Sequence, residues 1–275
     1  MKKVSLLLLC LGLFNFTIPA NAQLLNRIVN HAADKVNEEI DHAMDKAVDE
    51  SADSQQNQAQ TATAKSTRPH VLQTTSGYDF VAGTNVIFQD QFQGDSIRAF
   101  PHLWKTNGSG AVATVSGIPG RWFMLKSDAT FKLDSLLSMP DNFTVEFDVL
   151  ALCDKTDDLS PLMFGFDSDN SVSSYVSNGS AKVSLLYFND DEYTAFSKDL
   201  NKYYSGNFNL ENVVNRPMHV AIQVKGTHMT VYLDKTKILD ADMFLQNSRK
   251  YLFVSSPLNY EHGAQLLIGN VRIAK

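Results

Sequence analysis

The sequence predicts a mainly β chain: one antiparallel β-sandwich, preceded by an amphipathic helix and a polar linker. Three observations carry this reading. First, Val220, Ile222 and Val224 alternate with Ala221, Gln223 and Lys225, and after Gly226-Thr227 the alternation resumes at Met229, Val231 and Leu233. Period-two alternation on both sides of a short Gly-containing break is the signature of a hairpin with one buried face. Second, most of the chain from Tyr78 onward breaks into short apolar-alternating runs separated by Gly, Pro, Asn and Asp, a pattern of sandwiches and barrels. Third, helical periodicity is confined to the first fifty residues.

Residues 1–22 read as an export signal. Lys2-Lys3 form a basic start, Val4 to Phe16 an apolar run, and Ala20-Asn21-Ala22 an A-x-A cleavage signal. The expected mature chain begins at Gln23, and the run is too short for a transmembrane helix. Cys10 follows Leu7-Leu8-Leu9 rather than the small residues a lipid-attachment site needs. With the leader removed, Cys153 is the one cysteine left, so no intramolecular disulfide is expected. Its expected role is a small buried or loop thiol. Loss of the two leader lysines takes the formal charge from −6 to −8, which disfavours nucleic acid and anionic bilayers as partners.

Residues 23–53 form the amphipathic helix. Leu25, Val29, Ala32, Val36, Ile40, Ala43 and Ala47 repeat with an eleven-residue period, giving a nearly straight apolar stripe opposite an acidic face. The stripe reads either as a solvated helix or as a seam for self-association. Residues 54–76 are a Gln-, Thr-, Ala- and Ser-rich linker with no means of burying apolar surface, hence expected to be disordered.

The β-domain is placed at 77–275. Expected strands are 86–92, 111–115, 121–126, 130–133, 143–150, 162–167, 182–188, 193–197, the hairpin pair, 251–255 and 265–273. In the clearest, Phe143, Val145, Phe147 and Val149 form one face and Thr144, Glu146 and Asp148 the other.

The segments YDFVAG (78–83), VIFQDQF (86–92), FPHLW (100–104), NGSG (107–110), PGRWFML (119–125), PDNFTVEFDV (140–149), MTVYLDKTKIL (229–239) and IGNVRIA (268–274) resemble a module of Gram-negative outer-membrane and envelope proteins. There the module precedes an OmpA-like peptidoglycan-binding domain. The resemblance implies a concanavalin A-type, laminin-G-like jelly roll and a periplasmic or outer-membrane-associated location. It ends at Lys275, where the family's peptidoglycan-binding domain would begin, so peptidoglycan binding is not expected to carry over. The module brings no defined activity with it.

Candidate chemistry is sparse. Glu146 and Asp148 share a strand face about 7 Å apart, as in jelly-roll glycosidases, whose E-x-D-x-E or E-x-D-x-x-E strand is the pattern this pair suggests. The second Glu is missing: Val149, Leu150 and Ala151 follow. Without a second acid to protonate the leaving group, no catalytic residue is assigned. Asp-rich stretches at 154–158, 167–170 and 189–192, and the pair Asp90 and Asp95, leave a structural calcium ion open as the one cofactor option. Ordinary Asx-turn chemistry explains them equally. The seven histidines show no zinc spacing, so no metal ligand is assigned, and nucleophile-elbow, Walker and dinucleotide motifs are absent. Trp104 and Trp122 are expected in the core, and a Tyr203-Tyr204-Ser205-Gly206-Asn207 loop is the candidate exposed aromatic surface. The expectation is a non-enzymatic exported binding module, with glycan as the ligand class the fold analogy implies. The alternatives are a structural envelope protein self-associating or docking through residues 23–53, and a degenerate glycosidase.

Overall fold

The computed structural model describes residues 78–137, 139–172, 181–189 and 192–275. The leader, helix and linker expected over 1–76 therefore lie outside the described residues, as do Tyr175 and the Asp190-Asp191 pair.

Fifteen strands follow one another: β1 (Val86–Asp90), β2 (Trp104–Thr106), β3 (Gly110–Val115), β4 (Ile118–Leu125), β5 (Thr130–Leu133), β6 (Asn142–Leu152), β7 (Leu162–Asp167), β8 (Ala181–Leu186), β9 (Glu192–Ser197), β10 (Lys202–Asn207), β11 (Pro217–Lys225), β12 (His228–Leu233), β13 (Thr236–Asp242), β14 (Tyr251–Ser255) and β15 (Gln265–Ala274). They form two antiparallel sheets. One has eight strands in the order β13-β12-β11-β6-β15-β4-β3, with β1 also on β15. The other has seven, β10-β9-β8-β7-β14-β5-β2.

The two inner faces meet in one core. Phe143, Val145, Phe147 and Val149 of β6 and Val220, Ile222 and Val224 of β11 face Phe164 and Phe166 of β7 and Val183 of β8. Phe147 meets Phe164 edge-on at 5.4 Å between ring centroids, and Phe143 meets Phe166 at 5.3 Å. Phe123 is a second hub, 5.2–5.7 Å from the rings of Phe92, Phe100, Trp104 and Phe131. Each fully buried Phe contributes about 1.5–3 kcal/mol of transfer free energy.

The predicted hairpin is β11–β12, in register from Val220↔Leu233 to Lys225↔His228. Gly226 takes φ +60° at the first of the two turn positions, as a type II′ turn requires. The next hairpin, β12–β13, turns through Asp234 and Lys235, both at positive φ (44° and 75°). That is the type I′ arrangement without its usual glycine.

Three strands were not expected. β2 is only three residues long, β13 follows that glycine-free turn, and residues 202–207 form the edge strand β10 rather than a loop. Ser205-Gly206-Asn207 looks like turn composition. Gly206 is there for space: a Cβ would lie 2.5–3.0 Å from the Tyr193 ring and hydroxyl.

Trp104 is in the main core, its indole donating to the buried Asp90 carboxylate at 2.9 Å. Trp122 is just as buried but belongs to a separate small cluster with Leu150 and Leu267. Its ring lies against Gly269, where a Cβ would stand 2.9 Å away.

Candidate functional site

Strand alternation gives each sheet an outer face, and the two faces differ. On the eight-stranded sheet the outer residues include Thr144, Glu146 and Asp148 of β6, His219, Ala221 and Gln223 of β11, Tyr232 of β12 and Arg272 of β15. Residues 78–85 cross this face as a strap. Asp79 accepts from the Tyr232 hydroxyl at 2.6 Å and pairs with Lys237 at 3.0 Å. Tyr78 and Phe80 pack edge-on against Tyr232. Gln223 donates to the Val81 carbonyl, Gly83 N–H to Thr144 Oγ1 at 3.0 Å, and Arg272 to the Gly83 carbonyl at 2.7 Å. Asn85 then exchanges both backbone bonds with Lys275. Gly83 must lack a side chain, since a Cβ would lie 2.8 Å from the Ala274 backbone. Burial, then the Asp79 bond, pushes the Tyr232 hydroxyl up to about 12, and the same bond leads the causes that hold Asp79 down at about 2.

The Glu146–Asp148 pair shares one face, as its spacing predicts, but its oxygens are occupied. Arg272 donates to Glu146 at 2.8 Å; Asp148 accepts from Asn270 at 2.6 Å and lies 2.8 Å from His219 Nδ1. His219 Nε2 stands 3.7 Å from Glu146. The hydrogen bond to Asp148 raises the His219 pKa above the ordinary histidine value, against the opposing effect of burial. These carboxylates hold β6, β11, β15 and the strap together. Two cavities flank the strap. One of ≈ 400 Å³ lies against Val81–Thr84 and Asn142–Thr144; one of ≈ 200 Å³ is walled by Asp79, His228, Thr230, Lys237 and Asp240. In the smaller one His228 bonds Asp240 at 2.6 Å and Lys237 bridges Asp79 and Asp240, while Lys225, also on its wall, has no ion pair among the described residues.

The outer face of the seven-stranded sheet has two halves. Over β5, β14 and β7 it is closed: Phe253 is fully buried between its register partners Lys132 and Gly165. Lys132, fully buried, pairs with Asp167 at 2.7 Å and donates to the Asp169 carbonyl at 2.9 Å. Over β8, β9 and β10 it is open. The same cross-strand row continues Gly165↔Lys182↔Phe196↔Tyr203. Lys182 and Phe196 are half-buried, and Tyr203 is 64% exposed. The adjacent row is Ser184↔Thr194↔Ser205. Burial, then Glu192, raises the Tyr203 hydroxyl pKa, with Thr194 acting against them. Of the two candidate tyrosines, Tyr203 thus lies on this open face. Tyr204, one residue on, points the other way and packs against the core. Lys182 and Phe196 were not singled out from sequence, because only cross-strand register brings them beside Tyr203.

The Asp-rich stretches mostly close on their own neighbours. Asp90 accepts from Phe92 N–H and Trp104, Asp95 from His102 N–H, and Asp167 from Ser168 N–H and Lys132. Asp158, Glu261 and His262 each bring a donor atom within 4.8 Å of the others. Two carboxylates and an imidazole could hold a divalent cation there. Cys153 is buried, and burial, with Asp158 and Asp154 nearby, pushes its thiol up to about 11. It is an unreactive thiol at neutral pH.

No protein-family model matches the chain, and no curated protein matches its sequence. Among solved structures it is similar to the binding domain of botulinum neurotoxin serotype D, at 15% identity and TM-score 0.47 over 69% of this chain and 47% of that one. The chain thus spans about half the length of the neurotoxin domain it matches. It is similar to a galectin-like-fold protein of unknown function from Bacillus subtilis, at 10% identity and TM-score 0.49, covering 70% and 96% of the two chains. A carbohydrate-binding module, CBM66 from Bacillus subtilis, aligns at 18% identity and TM-score 0.44 over 63% and 96%. The fold is an antiparallel β-sandwich.

Proposed function

We propose that the chain is a non-enzymatic, exported, envelope-associated module that binds glycan on the outer face of β8, β9 and β10. The observation that carries this reading is the open Lys182–Phe196–Tyr203 row beside Ser184, Thr194 and Ser205. Sugar rings present a C–H face and a rim of hydroxyls. Phe196 and Tyr203 supply apolar ring surface, and the accessible Thr194 and Ser205 hydroxyls supply donors and acceptors, Ser184 being buried. With strands about 4.8 Å apart, the span from β8 to β10 is about 10 Å, roughly the length of a disaccharide. The non-enzymatic part rests on Glu146 and Asp148: the acid pair with glycosidase-like spacing is held by Arg272, His219 and Asn270 and faces the strap. Export rests on the leader at residues 1–22, and the envelope location on the resemblance of residues 78–274.

The test is binding of the full chain, wild type and Tyr203→Ala, to a broad glycan array. Retention of one glycan class by the wild type and its loss in Tyr203→Ala supports the reading. A folded wild type that retains nothing, or binding indifferent to Tyr203→Ala, overturns it.

A further inference from the structure

Lys182 is the odd residue of the open face. Its register partners are Gly165, which presents no side chain, and the Phe196 ring, so its aliphatic stem crosses apolar ground. Among the described residues its ammonium has no ion pair or hydrogen bond, and it is absent from those with an interaction left unspecified. Burial alone lowers its pKa, with no carboxylate acting to raise it. The neighbouring residues 173–180 carry no charged side chain.

Lys132, three strands across in the same row, shows the contrast. It is more deeply buried, and the fold supplies it with Asp167 and the Asp169 carbonyl. A half-buried ammonium without such a partner costs stability relative to an apolar side chain of the same length. Position 182 therefore carries a charge for which the described fold offers no use.

We propose that the glycan bound on this face is acidic, with a sugar carboxylate or sulfate seated on the Lys182 ammonium beside the Phe196 ring. This rests on the glycan reading above and sharpens it to anionic sugars. The charge-assisted bond would form at a site that is already partly dry, where it is stronger than in water. Attraction would be local, because the chain as a whole carries −6.

The experiment measures affinity of the full chain for polygalacturonate, dextran sulfate and neutral dextran, with Lys182→Met, Lys182→Arg and Lys225→Met alongside. The expected result is binding of one or both anionic polymers over dextran, weakening as salt rises. Lys182→Met should lower that affinity by about tenfold or more, and Lys182→Arg should keep it within about threefold. Lys225→Met, which removes the same charge from the eight-stranded sheet, should leave it unchanged. The polymer retained distinguishes carboxylate from sulfate. The urea midpoint of Lys182→Met should stay level or rise, so lost binding is not lost folding. Preference for dextran or another neutral glycan, sensitive to Tyr203→Ala but not to Lys182→Met, overturns the anionic assignment while leaving the glycan reading standing. Equal losses in Lys182→Met and Lys225→Met would mean a bulk charge effect and also overturn it. No binding to any glycan, by a folded chain, removes both.

Discussion

The two outer faces of the sandwich differ in how far the fold satisfies their polar side chains. The eight-stranded face has the more conspicuous chemistry: two carboxylates on one strand, histidines, an arginine and two cavities. Nearly every charge on it is closed against another or against the strap. The open half of the seven-stranded face has fewer polar groups, but its lysine lacks a described partner and its tyrosine stands in solvent. On the proposed reading, groups the fold leaves unsatisfied indicate function better than ionisable groups clustered in space. A paired carboxylate holds strands together, whereas an unpaired half-buried ammonium is available to something else.

The largest test of this contrast is on the closed side. Asp167→Ala leaves the fully buried Lys132 ammonium without its carboxylate, and should cost about 3–5 kcal/mol of unfolding free energy. Urea denaturation at constant m-value measures it. Arg272→Ala removes bonds to Glu146 and to the strap carbonyl of Gly83. These groups are partly exposed, so the loss should be nearer about 1 kcal/mol. Amide exchange at Gly83 should speed up while glycan binding is unchanged.

A smaller effect separates the faces by pH. Asp148, through its hydrogen bond, raises the folded-state pKa of His219 above the ordinary 6.5. A raised histidine pKa contributes stability that is complete below the unfolded value and disappears as pH rises through the folded value. The urea midpoint should therefore fall as pH rises above about 6.5. In Asp148→Asn the fall should be shallower, with the remainder due to His102, His228 and His262, whose pKa values are also raised by aspartate partners. The smallest stability effect is expected on the open side. Tyr203→Ala should change unfolding free energy by no more than about 0.5 kcal/mol, since the ring is 64% exposed on an edge strand.

Much of the fold was legible where alternation is strong. The β6 face from Phe143 to Val149 and the β11–β12 hairpin are where the sequence pattern puts them. It failed where local composition and tertiary role diverge. Asp234-Lys235 forms a type I′ turn without glycine, which hid β13, and Gly206, needed to clear Tyr193, made β10 look like a loop. Trp122 was legible as buried but not as lying on the outer side of its sheet. At the candidate site Tyr203 was reachable as an exposed aromatic. Lys182 and Phe196 were not, because their proximity is set by register across three strands rather than by spacing along one. The closure of Glu146 and Asp148 was hidden for the same reason: their partners come from β11, from β15 and its Asn270 bulge, and the strap crosses beside them.

The most direct test of the assignment of roles to the two faces is array binding by two double variants of the full chain. Phe196→Ala with Tyr203→Ala strips the open face; Asp148→Asn with Arg272→Ala opens the closed one. The account predicts that the first loses glycan binding and keeps close to the wild-type urea midpoint, while the second keeps binding and unfolds at lower urea. Binding that survives the first and disappears in a still-folded second would place the site under the strap, and would contradict it.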